Sequence, residues 1–426
     1  MFTEQDNEDL TRVGPGTLMG ELMRRFWMPV LLPQELPAPD CGPVRVRLLG
    51  EDLIAFRDTN GRLGLLDRYC PHRRVDLWFG RNEECGLRCV YHGWKFDVDG
   101  KIMDMPAEPE NSPLRAEIKT KAYPITEWGG VIWAYLGDPK HMPPRPPELE
   151  WGLVPPSHRH IGKRLQENNF AQGVEGGIDS SHVGILHSLL DPAKAGQPFR
   201  QRQRAIDSRV KYLATDTAPR FFVRQTPYGL RIGARRVASD VEYYWRITQF
   251  LLPFYTMIAR SNDTSPIGGH AWTPIDDYNT WTFTMHWNPS APLGDISEFD
   301  ASKVNVPVHQ DGSDRPIHGR HDNYGIDRDV QRLQSSSGID GIGLQDSALQ
   351  ETMGAIVDRS KETLSSGDAA IVAFRRLLLD HARHLRETGE LSLPHQPELY
   401  RVRSAGIVLP KEVDFEEGAR ERMLVA

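Results

Sequence analysis

The sequence predicts an α+β chain of two domains: a small antiparallel β domain, then a larger one pairing an antiparallel sheet with long helices. Three observations predict it. From about Val44 to Leu136 the text is short and β-like, punctuated by Gly and Asp. A proline-rich stretch from Pro139 to Pro156 then reads as a linker. Beyond it, helical periodicity alternates with longer β-like runs. At 426 residues the chain is long enough for two cores, expected at 1–155 and 156–426.

In order along the chain, residues 17–28 carry a helical apolar pattern (Leu18, Leu22, Phe26) that leads into the first domain. Strands follow at Val44–Leu49, Asp52–Arg57, Leu63–Leu66, Gly86–Val90 and Gly130–Leu136. After the linker, residues 165–189 read as helix. An antiparallel series comes next: Arg220–Gln225, Leu230–Arg236, Val241–Leu252, Gly268–Pro274 and Thr280–Trp287, with turns at Pro227-Tyr228-Gly229 and Asp276-Asp277. Residues 289–340 are polar and loop-rich, a length that in a compact domain is usually functional or mobile. Helices return at about 346–357 and 368–387. The second lines up Ile371, Phe374, Leu377, Leu378, His381 and Leu385 on one face, with Asp368 near its start.

Bulk composition excludes several roles. Hydrophobic content of 39% and charged content of 26% are those of an ordinary globular protein. A net charge of −7 without a basic block argues against nucleic acid as a partner. No apolar run approaches the length of a membrane helix, and the acidic N-terminus is unlike a signal peptide. With no G-x-G-x-x-G strand–helix unit, the chain is not expected to bind a nicotinamide cofactor itself. Four cysteines cannot form a disulfide framework, and Cys41 and Cys85 receive no role. A cytoplasmic location is expected.

Two loops carry the chemistry: Cys70-Pro71-His72-Arg73 and Cys89-Val90-Tyr91-His92. Each offers one thiolate and one imidazole. C-x-H followed by C-x-x-H is the ligand set of a Rieske [2Fe–2S] centre, with Cys70 and Cys89 on one iron and His72 and His92 on the other. Such thiolates also imply a reducing compartment. The alternative is a Cys2His2 zinc site, but zinc-finger ligands come as a Cys pair and a separate His pair.

A second set lies in Glu175-Gly176-Gly177-Ile178-Asp179-Ser180-Ser181-His182-Val183-Gly184-Ile185-Leu186-His187. Asp179 and His182 share a face at helical spacing. His182 and His187 differ by about 140° on an ideal helix, so the helix must end or bulge between them for both to reach one metal. Two histidines and one carboxylate form the facial triad of non-haem Fe(II) oxygenases, with positions left open for O2. The bland alternative is a helix whose histidines are packed or solvated.

Both segments resemble Rieske non-haem iron oxygenases, in particular large (alpha) subunits of the phthalate 4,5-dioxygenase type. The likeness includes Gly86–Asp97, the run Val13-Gly14-Pro15-Gly16-Thr17…Phe26-Trp27-Met28-Pro29 and the D-x-x-H-x-x-x-x-H signature at Asp179–His187. It implies a Rieske domain followed by a helix-grip catalytic domain. It implies His182 and His187 as ligands of mononuclear Fe(II), and Asp179 as the acid linking that site to a Rieske cluster across a subunit boundary. Asp346 best matches the family's third ligand. The alternatives are that Asp346 only N-caps a helix, or that Asp340 is the ligand. The resemblance further implies NADH electrons arriving through a separate flavin and iron–sulfur reductase, and a homotrimer or stacked hexamer.

For the substrate, a period of two along Glu242–Phe250 puts Tyr244, Arg246, Thr248 and Phe250 on one face. An arginine among aromatic groups is a carboxylate clamp, unless it pairs with a structural acid. Arg209, Arg235 and Arg236 are candidates for a second cation. The expected function is hydroxylation of an aromatic carboxylate such as phthalate with O2. O-demethylation of a methoxybenzoate, or electron transfer without oxygenation, are the rival readings.

Overall fold

The structure, a computed structural model, describes residues 2–204, 209–260, 262–296, 303–393 and 396–425. Contacts divide it into two units: Val13–Pro146, and Pro147–Ala426 together with Met1–Arg12. The first twelve residues thus go with the larger unit. There the Glu4–Thr11 helix holds Arg383 through Asp6 and Asp9.

The smaller unit is antiparallel β throughout. Strands Val44–Leu48, Glu51–Arg57 and Leu63–Asp67 form one sheet, and Arg81–Glu83, Gly86–Arg88, Lys95–Phe96 and Ile102–Asp104 form another. A third joins Met28–Leu31 to Ile125–Trp128 through Val131–Ala134. Cys70 and Cys89 belong to a buried cluster with Ile54, Phe56, Leu77 and Phe96, so both loops spring from the core. The helix expected over 17–28 spans only Leu18–Met23. Pro29 disfavours helical backbone at Met28, and the chain passes into a strand instead.

The larger unit centres on an eight-stranded antiparallel sheet. Its order is Arg159–Gln166, Thr280–Trp287, Ile267–Pro274, Tyr255–Ile258, Glu242–Leu251, Gly229–Val237 and Arg220–Thr226, with Ala405–Pro410 also paired to Glu242–Leu251. Tyr255–Ile258 and Ala405–Pro410 were not anticipated from the sequence. Helices Phe170–Ile178, Ile342–Thr352 and Ala369–Thr388 accompany the sheet. The helix expected over 165–189 is three pieces. Arg159–Gln166 is a strand, Phe170–Ile178 a helix capped by the Asn169 side chain, and Val183–Leu186 a separate short turn. Close packing explains the glycines here: a Cβ on Gly173 would meet Trp272 at 2.3 Å, and one on Gly177 would meet Thr256 at 2.6 Å. Of the 289–340 loop, residues 297–302 lie outside the described residues, and the remainder holds a helix at Arg328–Leu333. No helix among the described residues is long and apolar enough to cross a membrane.

One buried ion network anchors the Phe170–Ile178 helix. Glu175 accepts from Arg359 at 2.9 and 3.1 Å and from Arg375 at 2.7 Å, and Arg375 also holds Glu362. Burial raises the Glu175 carboxyl's pKa, but the two guanidinia more than reverse this and hold it low. Glu175→Ala leaves the buried Arg359 without its carboxylate and Arg375 with Glu362 alone, so thermal or urea unfolding should show a loss of about 3–5 kcal/mol. An unchanged transition would show that the network does not hold the helix.

Candidate active site and cluster loops

Each cluster loop is a tight turn closed by backbone hydrogen bonds. The Arg74 N–H donates to the Cys70 carbonyl at 2.9 Å, and the Gly93 N–H donates to that of Cys89 at 3.0 Å. Gly93 has φ +77°, and a Cβ there would meet Pro106 at 2.4 Å, so no other residue fits. Cys70 and Cys89 are 1% and 3% exposed. Their sulfurs lie against each other: Cys70 draws the Cys89 thiol down to about 6, while Cys89 and burial push Cys70 up. The His72 and His92 rings stand 4.4 Å apart between centroids, and Trp94 stacks on His72 at 4.6 Å and 10°.

Each loop supplies one thiol and one imidazole, the set a Rieske centre shares between two irons, whereas zinc-finger ligands come as a Cys pair and a separate His pair. Among the described residues, one group of three His, Cys, Asp or Glu donors lies within 4.8 Å of one another, at His182, His187 and Asp346.

The His182/His187/Asp346 group is assembled from two local segments. The first helix ends at Ile178, with Asp179 as its C-cap in extended backbone. A separate short turn, Val183–Leu186, then runs between the two histidines, and it ends at His187, whose backbone leaves the helical region at φ −90° and ψ 10°; the His182 and His187 rings face each other with centroids 5.1 Å apart at 79°. Asp346 comes from the second turn of the Ile342–Thr352 helix, which starts four residues before it with Gly341 as N-cap. Asp346 is therefore not a capping residue. Its Oδ1 lies 3.5 Å from His182 Nε2 and 3.3 Å from His187 Nε2. Asp340 instead pairs with Lys303 and is 79% exposed.

Each imidazole is held at its other nitrogen. His182 Nδ1 lies 3.2 Å from Asp179 Oδ2, and the Ser181 N–H donates to Asp179 Oδ1 at 2.6 Å. His187 Nδ1 lies 2.7 Å from Gln345 Oε1, and the Gln345 amide donates to the Ile339 carbonyl at 2.8 Å. Both contacts make Nδ1 the donor, so the Nε2 atoms are the two that face Asp346. Burial lowers the basicity of His182, but hydrogen bonds to Asp179 and Asp346 outweigh it and raise its pKa to about 9. Burial likewise raises Asp346, and the two imidazoles more than reverse this. Three convergent donors with aligned tautomers are the equipment of a 2-His-1-carboxylate iron site.

Sequence reasoning missed Gln345, because nothing in its spacing marks it as the partner of a histidine 158 residues away. Gln345→Leu should weaken divalent-metal affinity about 10–100-fold, the usual cost of losing an outer-sphere partner. Titration of the metal-free site with Fe(II) or Co(II) checks this, and unchanged affinity would deny the residue its role.

Arg246 lies on the sheet face that also carries Tyr244, Thr248 and Phe250, and is 7% exposed. Its guanidinium has no hydrogen-bond or ion-pair partner among the described residues, yet it feels the charges of Asp179 and Asp346. Arg209 pairs with Asp263 at 2.6 Å. Arg235 stacks over Tyr243 at 4.1 Å. Arg236 is buried and donates to Ser180 and Asp216.

Comparison with known proteins agrees with this geometry. Residues 26–124 match the Rieske [2Fe-2S] domain, and residues 134–423 match the family described as LigXa C-terminal domain like. The chain is 39% identical to the phthalate 4,5-dioxygenase oxygenase subunit of Pseudomonas putida, over 98% of this chain and 94% of that one. The chain belongs to the Rieske non-haem iron oxygenases. It is an oxygenase subunit of the phthalate 4,5-dioxygenase type. It is also 35% identical to the 3-chlorobenzoate-3,4-dioxygenase oxygenase subunit of Comamonas testosteroni, over 99% of both chains. Solved structures share the fold at lower identity. NdmA of Pseudomonas putida CBB5 superposes with a TM-score of 0.59 at 18% identity, covering 93% of this chain and all of that one. As a member of this family the oxygenase uses a Rieske [2Fe–2S] cluster and mononuclear iron, and takes NADH-derived electrons from a flavin-containing reductase.

Proposed function

We propose that this oxygenase hydroxylates an aromatic carboxylate, and that Arg246 holds the carboxylate. The observation that carries this reading is the buried Arg246 guanidinium, which has no ion-pair partner among the described residues and feels the charges of Asp179 and Asp346. A buried charge is costly unless paired, so the natural partner is the ligand's anion. The named substrates of its relatives are consistent: phthalate, 3-chlorobenzoate and phenoxybenzoate are aromatic carboxylates.

Arg209 is the second cation in this reading. Its partner Asp263 is 54% exposed, and exposed pairs contribute about 1 kcal/mol or less, so the pair is readily exchanged for a second substrate carboxylate. Cys70, His72, Cys89 and His92 would hold the cluster within a Rieske domain at 13–146. His182, His187 and Asp346 would hold iron within the catalytic remainder. When bound, the iron supplies one-electron chemistry with O2. Asp179 orients His182 and offers a hydrogen-bonded path toward a cluster of a neighbouring subunit, in a homotrimer or stacked hexamer. The reductant-rich cytoplasm suits its thiolates.

Purified, iron-replete protein with a phthalate-type reductase, NADH and O2 tests this on phthalate, 3-chlorobenzoate, a phenoxybenzoate and methoxybenzoates. A cis-dihydrodiol from a carboxylate is the expected product. Formaldehyde from a methoxybenzoate would reassign the chain to O-demethylation, an activity named for a relative 38% identical over 49% of this chain. Arg246→Gln should raise the KM for carboxylates about 100-fold, the cost of one buried charge-assisted bond. An unchanged KM would remove Arg246 from the binding site.

A further inference from the structure

Tyr244 stands two residues before Arg246 on the strand Glu242–Leu251, so the two side chains share one sheet face. Tyr244 is 2% exposed, its ring stacked on Tyr212 at 5.0 Å and 25°. Its hydroxyl has no hydrogen-bond partner among the described residues, and neither has the Arg246 guanidinium. Polar groups this enclosed are costly to leave unpaired. The two are also neighbours. Of the charges that Tyr244 feels, that of Arg246 is the largest, ahead of those of Arg236 and Arg209. Those other two guanidinia are already bonded, Arg236 to Ser180 and Asp216 and Arg209 to Asp263.

Gly406 marks where the hydroxyl lies. It pairs directly with Arg246 across the strands, which sets their Cβ positions about 4.5–5.5 Å apart. A Cβ on Gly406 would meet Tyr244 Oη at 3.2 Å and Arg209 Cδ at 3.4 Å. The phenol thus leans along the sheet to the side of the Arg246 stem, beside space that any larger residue at 406 would fill. Burial pushes the phenol's pKa up, against the pull of the three guanidinia, so the hydroxyl keeps its proton at neutral pH.

We propose that Tyr244 contacts the substrate, its hydroxyl donating to the same carboxylate that Arg246 holds, with Gly406 keeping the space beside them open. The inference rests on the reading that Arg246 takes an anion. A carboxylate has acceptor sites on both oxygens, so it can accept from a guanidinium and a hydroxyl together. No bond has to be given up for this, because both donors share one face and neither has an acceptor in the protein.

Equilibrium dialysis of phthalate and 3-chlorobenzoate against the full metal-loaded protein tests the contact. Tyr244→Phe should weaken both acids about tenfold or more, the cost of one hydrogen bond to a charged group. Its melting temperature should match wild type, since the lost hydroxyl bonds nothing in the protein. In the Arg246→Gln background the same substitution should cost about threefold at most, because groups that hold one anion are not additive. Gly406→Ala should also weaken both acids, by crowding the hydroxyl. Unchanged affinity in Tyr244→Phe, or a loss that comes with a lowered melting temperature, overturns the contact and leaves the Arg246 reading standing. An equal tenfold loss in both backgrounds overturns the shared carboxylate. If Arg246→Gln binds as wild type does while Tyr244→Phe does not, the Arg246 reading fails and Tyr244 remains a contact. Unchanged affinity in Gly406→Ala overturns the role of the open space. A wild type that binds neither acid overturns both readings.

Discussion

Asp346→Ala should strip the mononuclear iron while leaving the cluster in place. The expected result is a fall from about three irons per chain to about two, with acid-labile sulfide unchanged. Oxygenase activity should fall by at least about 1000-fold, because the remaining two imidazoles form an incomplete ligand set. The physical reason is the geometry at Asp346 Oδ1, which lies within 3.5 Å of both imidazole nitrogens. No other carboxylate among the described residues joins two histidines in this way. Retention of three irons would mean that another acid completes the site. Folding should survive, since Asp346 caps no helix and its side chain is 25% exposed.

Asp179→Asn should behave differently. Asparagine preserves the side-chain volume and can still accept from the Ser181 N–H, so both metal centres should remain filled. What disappears is the charge that pairs with His182 Nδ1 at 3.2 Å. His182 then loses the partner that fixes its tautomer, along with the proposed link toward a neighbouring cluster. Coupled turnover should drop about 100-fold or more, while reduction of the cluster by the reductase stays near wild type. Stopped-flow absorbance of the cluster, with and without substrate, separates the two steps. Near-normal turnover would leave Asp179 as a capping residue only.

The legible parts of the site were those whose chemistry is local in sequence. The Cys/His loops could be read because each places two ligands within four residues, and Asp179, His182 and His187 because they share one turn and its break. Arg246 was legible through strand period, which assigns a face without knowing the partner strands. The choice between Asp346 and Asp340 was not legible from the residues themselves. Asp340 lies within the glycine-rich stretch Gly338–Gly343 and Asp346 just after it, and position against the two histidines separates them. Gln345 was missed as a site residue because it acts through a bond to a segment 158 residues away. Arg236 was read as a candidate second cation, and its bond to Ser180, 56 residues away, was not legible. Arg209 shows the converse: its type was readable, but its pairing with Asp263 was not. The single helix read over 165–189 dissolved for a related reason. Leu165 and Gln166 belong to the strand Arg159–Gln166, whose pairing with Thr280–Trp287 no local pattern reveals, and the rest of the span is interrupted between Asp179 and His182.

The most direct measurement is a single turnover without reductase. Protein with both centres filled is reduced chemically, freed of reductant, and mixed with substrate and 18O2. Product carrying 18O, in an amount set by the electrons stored in the chain, is the predicted result. Reoxidation of the cluster with no labelled product from any aromatic carboxylate would contradict the account, because both centres would then be present and the proposed chemistry absent.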